Sequence, residues 1–249
     1  MSIINLTQFN GITIFDESIE NLISIIRDRD SHLVSYIVTP NADHFYRLSD
    51  GRNIDFIDSY ANADFIICDS RIIQKLSIFE NKTISNVIPG SDLTKKIIAS
   101  AWAKDIKILI IGPAPEDVEI IKQKFNLPHL KSYAPPMGFI NDEREILKCI
   151  KITFQSEFDI VFIAVGSPQQ EILANRLKKS TANTYKTGPI LLCVGASFDF
   201  LSGKITRAPL FIQKLNLEWL HRALSDPLRL LPRYWNNFIW IVFYIKKRF

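Results

Sequence analysis

Asp69 is the carboxylate best placed for proton transfer. It directly follows the apolar run Phe65-Ile66-Ile67-Cys68, so it should stand at the mouth of a cleft, partly desolvated and able to take a proton from a hydroxyl. The same position also suits the N-cap of a helix over Ser70 to Ile78. A second set lies in the stretch AVGSPQQEILANRL, where Gly166 and Ser167 would open a helix with free amides. Gln170 and Glu171 there offer hydrogen bonds to a nucleobase or a sugar, and simple helix capping accounts for the turn equally well. A third set follows the apolar run Pro189 to Val194. Gly195-Ala196-Ser197 turns the backbone sharply and carries Asp199, Lys204 and Arg207 past a strand end, where a polar ligand can meet them.

Other chemistries lack their residues. GxGxxG and GxxxxGK[ST] are both absent, and the turn IIGPAPEDVE places Glu116 and Asp117 where they would repel a phosphate. His32, His44, His129 and His221 are scattered without H-E-x-x-H, and no G-x-S-x-G marks a nucleophile elbow. Asp28-Arg29-Asp30 is formally a D-x-D, but it ends a helix instead of following a strand, which favours a solvated turn. No metal and no cofactor is expected. Cys68, Cys149 and Cys193 are odd in number, far apart and set in apolar runs, as reduced core cysteines are.

These residues need a scaffold that delivers them to one edge. Asn10-Gly11 between NLTQF and ITIF signals a hairpin, because the pair tolerates the positive φ of a tight turn. Asp16 can then cap a helix carrying Ile19, Leu22, Ile23 and Ile26 on one face. From there strands and helices alternate. Strands are expected over His32–Val38, Asp64–Cys68, Thr83–Ile88, Ile106–Ile111, Leu130–Ala134 and Asp159–Val165. Helices are expected over Ala42–Leu48, Ile54–Tyr60, Ser70–Ile78, Asp92–Lys104, Glu116–Phe125, Asp142–Gln155 and Gln169–Lys179. That rhythm predicts an α/β fold, a mostly parallel, doubly wound Rossmann-like sheet flanked by helices. Thr39-Pro40-Asn41, Asp69-Ser70, Gly90-Ser91-Asp92, Pro135-Pro136, Gly166 to Glu171 and Gly195 to Asp199 all fall where strands end, so one edge of the sheet would gather them.

The tail differs from the rest. Lys204 to Phe249 holds nine Lys and Arg against two acids, so the chain's net +4 leaves its first 203 residues at −3. The basic charge is local, which points to phosphates or an anionic membrane and away from nucleic acid. Leu215, Leu217, Leu220 and Leu224 space like a helix that stops at Asp226-Pro227. The last sixteen residues, YWNNFIWIVFYIKKRF, mix aromatics with a basic end and fall short of the roughly 20 apolar residues a spanning helix needs. They read as an interfacial anchor, or as a helix closing a core or an oligomer contact. Two units are therefore expected, an α/β catalytic domain over 1–203 and a basic, aromatic helical appendage over 204–249. No signal peptide is evident at Met1 to Phe15, which predicts a cytoplasmic protein, peripheral on the inner membrane face.

An ordered series of motifs also carries a resemblance. TPNADHF at Thr39, CDS around Asp69, PGSDL at Gly90 and Asp92, LIIGPAP, YAPPMGF, DIVFIAVGSPQQE, VGASFDFLSG, RAP at Arg207, LEWLHRAL and DPLRLLPRYW span nearly the whole chain. Together they resemble the bacterial WecG/TagA/CpsF glycosyltransferase family. The resemblance implies inverting, metal-independent transfer of a sugar from a UDP-sugar to a polyprenyl-diphosphate-linked acceptor at the cytoplasmic membrane face. By motif match it makes Asp69 the base and places Thr39 and Asn41 near the donor sugar. Gly90 and Asp92 would lie in the substrate site, Gly166, Gln170 and Glu171 near the nucleotide, and Asp199 beside that pocket. Arg207, Arg222, Arg229 and Arg233 would meet the diphosphate. Asp69-Ser70 stands where the family usually has Asp-Gly, and Ala196-Ser197 where it has a Gly-rich turn, which leaves the donor sugar open. Rival readings are a catalytically silent UDP-sugar-binding partner and a Rossmann-type oxidoreductase, the latter disfavoured by the missing glycine fingerprint. Homo-oligomerisation is left open.

Overall fold

A computed structural model of the chain describes residues 4–29, 33–180, 188–206, 209 and 226–248. Its centre is a six-stranded sheet in the order β4-β3-β8-β7-β5-β6, with every neighbouring pair parallel. The strands are β3 (Ser35–Val38), β4 (Phe65–Ile66), β5 (Ile108–Ile111), β6 (Leu130–Tyr133), β7 (Ile160–Ile163) and β8 (Ile190–Cys193). A separate hairpin pairs β1 (Leu6–Phe9) with β2 (Ile12–Phe15) across Asn10 and Gly11, which take φ of 48° and 79°. The expected Asn-Gly turn is thus in place.

The central strands are apolar on both faces because helices cover both. Tyr36, Val38, Leu109, Ile111, Val161, Ile163, Leu191 and Cys193 point to one face. There they meet α2 (Ala42–Asp50), α3 (Ile54–Ala61), α7 (Glu143–Gln155) and α8 (Gln169–Ser180). The alternate residues Ile37, Ile108, Ile110, Ile160, Phe162, Ile190 and Leu192 point to the other face. They pack there on α1 (Ile19–Asp28), α5 (Gly90–Ile98), α6 (Pro115–Phe125) and α9 (Ser197–Ser202). The chain leaves β3 toward the first face and leaves β8, its neighbour, toward the second. A crevice therefore opens between their carboxyl ends, as at the switch point of doubly wound sheets.

Three expectations are corrected. Thr83–Ile88 is not a strand. Ile84 and Ile88 are buried, but the segment's amides go to side chains and a loop carbonyl: Ile84 N to Ser77 Oγ at 2.8 Å, Asn86 N to Asp16 Oδ1 at 2.8 Å and Ile88 N to Cys68 O at 2.7 Å. Asp16 does not cap α1, because Ser18 does, accepting from Asn21 N. The helix expected over Asp92–Lys104 breaks, α5 ending at Ile98 before a 3₁₀ turn over Ala101–Lys104. A similar 3₁₀ turn, Ser77–Phe79, follows α4 (Arg71–Leu76). The three cysteines are buried and free.

In the tail, the helix expected around Leu215 to Leu224 lies outside the described residues. Pro227 opens α10 (Pro227–Lys246), where its missing N–H costs nothing. One face of α10 docks on α2 and the hairpin. Trp240 stacks on Phe45 with ring centroids 5.9 Å apart and donates from Nε1 to Ser49 Oγ at 3.0 Å, and Tyr244 lies against Phe9. Glu80 Oε1 closes the junction, accepting from Asn10 N at 3.0 Å, Tyr244 Oη at 2.6 Å and Arg248 Nη2 at 2.5 Å. The other face leaves Leu228, Leu231, Trp235 and Phe238 exposed. No helix among the described residues is long and apolar enough to cross a membrane.

Candidate active site

Asp69 ends up beside the crevice because pairing with β3 continues beyond the short strand β4. Ile67 N donates to Val38 O at 3.0 Å and Asp69 N to Pro40 O at 3.2 Å. Asp69 is half-buried and does not cap α4, whose N-cap is Ser70 without a side-chain bond. Its Oδ1 instead accepts the Gly90 amide at 2.8 Å, the first residue of α5. Gly90 is itself pressed into the edge. A Cβ there would touch Thr39 Oγ1 at 3.4 Å and Val194 O at 3.6 Å, so anything larger than a methyl would crowd both. The base candidate thus has a fixed direction, set by a backbone amide from a second element.

Thr39 and Asn41 follow β3. Thr39 Oγ1 donates to Cys193 O at 2.9 Å and stitches the ends of β3 and β8 together. Asn41 caps α2, accepting from Asp43 N at 3.0 Å, while its own amide meets His44 Nδ1 at 3.1 Å. Gly166, with φ of 84°, turns the chain out of β7, and its carbonyl accepts from Gln170 N at 2.9 Å as α8 begins. Adjacent strands lie about 4.8 Å apart, so the turns after β4, β3, β8 and β7 share one edge only about 15 Å wide.

The remaining expected residues divide into a buried pair and a rim. Gln170 and Glu171 are buried, and their side chains face one another and the interior. Gln170 Nε2 donates to Glu171 Oε1 at 2.7 Å, and Gly195 N donates to Gln170 Oε1 at 2.9 Å. Asp199 lies in the first turn of α9, half-buried at the rim beyond Gly195. Asp92 lies in the first turn of α5, two residues past Gly90. Arg233 comes off α10 to reach Asp43 at the start of α2, Nε to Oδ2 3.2 Å, and Arg47 Nε reaches the same oxygen at 2.8 Å. A tail arginine is thereby brought next to the Asn41 turn. Arg207 and Arg222 lie outside the described residues, as does the side chain of Arg229. Asp28 pairs with Arg27 at the end of α1, and among the described residues no three His, Cys, Asp or Glu gather as metal ligands would.

Two participants went unread in the sequence. His44 looked like one of four scattered histidines, yet its Nε2 lies 3.3 Å from Glu171 Oε1, with both groups buried. Asp43, in the first turn of α2, gathers two guanidinium groups. The available signal was Asn41-x-x-His44, the spacing of a capping box, which turns His44 inward.

Curated relatives share most of the chain's length. An N-acetylglucosaminyldiphosphoundecaprenol N-acetyl-beta-D-mannosaminyltransferase of Bacillus spizizenii is 27% identical over 226 residues, which cover 88% of this chain and 83% of the relative. A protein of the same name from Staphylococcus aureus (strain MW2) is 26% identical over 216 residues, covering 84% and 79%. The sequence model described as Glycosyl transferase WecG/TagA/CpsF family matches residues 1–249. A parallel sheet with its polar turns at one edge, and a family match over the full length, lead to one conclusion: the chain belongs to the WecG/TagA/CpsF family of glycosyltransferases.

Proposed function

We propose that this protein transfers an N-acetylmannosamine-like sugar from a UDP-sugar to a polyprenyl-diphosphate-linked saccharide, with inversion and without a metal, in the synthesis of a bacterial surface polysaccharide. The observation that carries the reading is Asp69, a half-buried carboxylate held by the Gly90 amide at the strand edge of a chain from this family. The relatives' names specify a diphosphoundecaprenol-linked N-acetylglucosamine acceptor, and an acceptor of that chemistry fits here.

In the reaction the acceptor hydroxyl oxygen attacks the anomeric carbon from the face opposite UDP. The new C–O bond forms as the bond to the diphosphate oxygen breaks, UDP leaves with the electron pair, and the hydroxyl proton passes to Asp69. Developing charge on the diphosphate needs cations and backbone amides. Arg233, steadied by Asp43, and the turn that opens α8 at Gly166 stand in the right part of the edge, and Arg207, Arg222 and Arg229 would add to them. Thr39 and Asn41 would border the donor sugar and Asp199 the nucleotide. The exposed Leu228, Leu231, Trp235 and Phe238 face of α10, with Lys246 and Lys247 at its end, would rest on an anionic inner-leaflet surface where a lipid-linked acceptor is found.

The test is transfer of label from a panel of UDP-sugars into organic-extractable lipid in the presence of EDTA, for wild type and Asp69→Asn. The asparagine keeps an acceptor for Gly90 N but cannot take the proton. Label in lipid that survives EDTA and disappears with Asp69→Asn is expected, and it identifies the donor. UDP binding with no transfer from any donor would instead establish a silent binding partner.

A further inference from the structure

Behind the crevice, a buried polar chain joins the turns after β3, β7 and β8. Asn41 N meets His44 Nδ1 at 3.1 Å, His44 Nε2 lies 3.3 Å from Glu171 Oε1, Gln170 Nε2 donates to that oxygen at 2.7 Å, and Gly195 N donates to Gln170 Oε1 at 2.9 Å. Glu171 is 0% exposed. A carboxylate there is costly to bury, and an apolar or amide residue would serve the core better.

We propose that His44 and Glu171 are positioning residues for sugar transfer, fixing the orientation of Gln170 and, through it, the Gly195 turn relative to the Asn41 turn. The inference rests on the reading of this crevice as the transfer site. A carboxylate only accepts hydrogen bonds, so Glu171 obliges the Gln170 amide to present its NH₂ group inward and its oxygen to Gly195 N. His44 Nδ1 lies 3.1 Å from the Asn41 amide and 3.0 Å from Asn41 Oδ1, which anchors the ring to that turn, and its Nε2 stands 3.3 Å from Glu171 Oε1. Glu171 thus fixes the orientation of Gln170 and stands against the ring that His44 packs behind the Asn41 turn, and both ends of the chain are backbone atoms of the cleft. With glutamine at 171 either orientation of Gln170 finds a partner, and the Gly195 turn loses its unique position.

Wild type, Glu171→Gln, His44→Asn and the double variant would be compared in the lipid-transfer assay and in calorimetric titration with UDP, alongside thermal melts. Asparagine at 44 keeps an acceptor for the cap but does not reach Glu171. Each single variant is expected to lower kcat/KM about 100-fold, as small misplacements at reacting centres do, and to weaken UDP about tenfold, the worth of one hydrogen bond. The double variant should lose little more than either single one, because the pair acts as a unit. Glu171→Gln should melt no lower than wild type, which separates positioning from a structural role. Should His44→Asn fail to fold, Glu171→Gln carries the test alone. Unchanged kcat/KM and UDP affinity in Glu171→Gln, or losses that only follow a lowered Tm, overturn the proposal. Wild type that binds UDP but transfers nothing overturns the proposed function, and the pair is then judged on UDP affinity. Wild type that does not bind UDP overturns both.

Discussion

Asp16 and Asp69 both follow an apolar strand, and both accept backbone amides from a distant segment, yet they do different work. Asp16 is 2% exposed and saturated. It accepts from Ser85 N at 2.9 Å, Asn86 N at 2.8 Å, Asn86 Nδ2 at 3.1 Å and Thr7 Oγ1 at 2.9 Å, and so fastens the hairpin to the segment before Gly90. Asp69 stays half-buried at the crevice, steered by the Gly90 amide. Residue type and an apolar strand before it are common to both; what differs is exposure, Asp16 being closed off from solvent and Asp69 standing where a substrate could meet it. The two positions form a continuous stretch of cause, since Asp16 anchors residues 85 and 86, and that segment delivers Gly90 to Asp69.

The strongest way to break this contrast is Asp69→Asn. Loss of a positioned general base should cost about 10³-fold in kcat, with Tm nearly unchanged, measured by lipid transfer and thermal melting of the same preparation. Second is Trp240→Ala, which removes the ring stacked on Phe45. It should lower stability by about 3 kcal/mol and release α10, read as a lower midpoint in denaturant. Third is Asp16→Asn, expected to cost about 2 kcal/mol, as the loss of charged hydrogen bonds does, while activity per folded molecule falls far less than in Asp69→Asn. If instead Asp16→Asn silences transfer with no loss of stability, the two carboxylates are not different in kind.

Asp16 also makes a pH signature. Burial alone would push its carboxyl up, but the bonds from Ser85, Asn86 and Thr7 outweigh that and hold it below the usual aspartate range. A depressed value in the folded state contributes stability that is present above the ordinary aspartate value and lost as pH falls through the folded one. Melts should therefore lose stability below about pH 4, and Asp16→Asn should flatten that descent. The smallest effect on the fold belongs to Trp235→Ala. Trp235 is 63% exposed, so stability should change by less than about 0.5 kcal/mol, whereas binding to anionic vesicles should weaken clearly in a sedimentation assay. Equal vesicle binding by wild type and variant would remove the membrane role from this face of α10.

Much of the fold was legible because β5, β7 and β8 are short apolar runs that only a doubly covered sheet can use, and because polar turns close each of them. The Asn10-Gly11 turn was legible for a similarly local reason, and so was the placing of Asp69 just past a strand. The segment 83–88 misled because its buried Ile84 and Ile88 look like strand residues, while the groups that take its amides, Asp16 and Ser77, are not neighbours in sequence. The contacts of Gln170 and Glu171 with each other and with His44 were not legible, because His44 is far away in sequence. Polar residues next to a strand end read the same whether they face a ligand or each other. The tail was ambiguous for a further reason: Phe238 to Ile245 is apolar at every position, so periodicity there could not say which side docks and which stays exposed.

Asp69 also inherits a weakness from its position. β4 is an edge strand of the sheet and only two residues of it are regular, so the proposed base hangs from the margin of the sheet and not from its centre. Margins open before centres do. Heating should therefore extinguish turnover while far-ultraviolet circular dichroism still reports an intact sheet, and binding at the crevice should raise the inactivation temperature more than the melting temperature. The working limit of such an enzyme is set by the fraying of one edge, well below the temperature at which its core lets go.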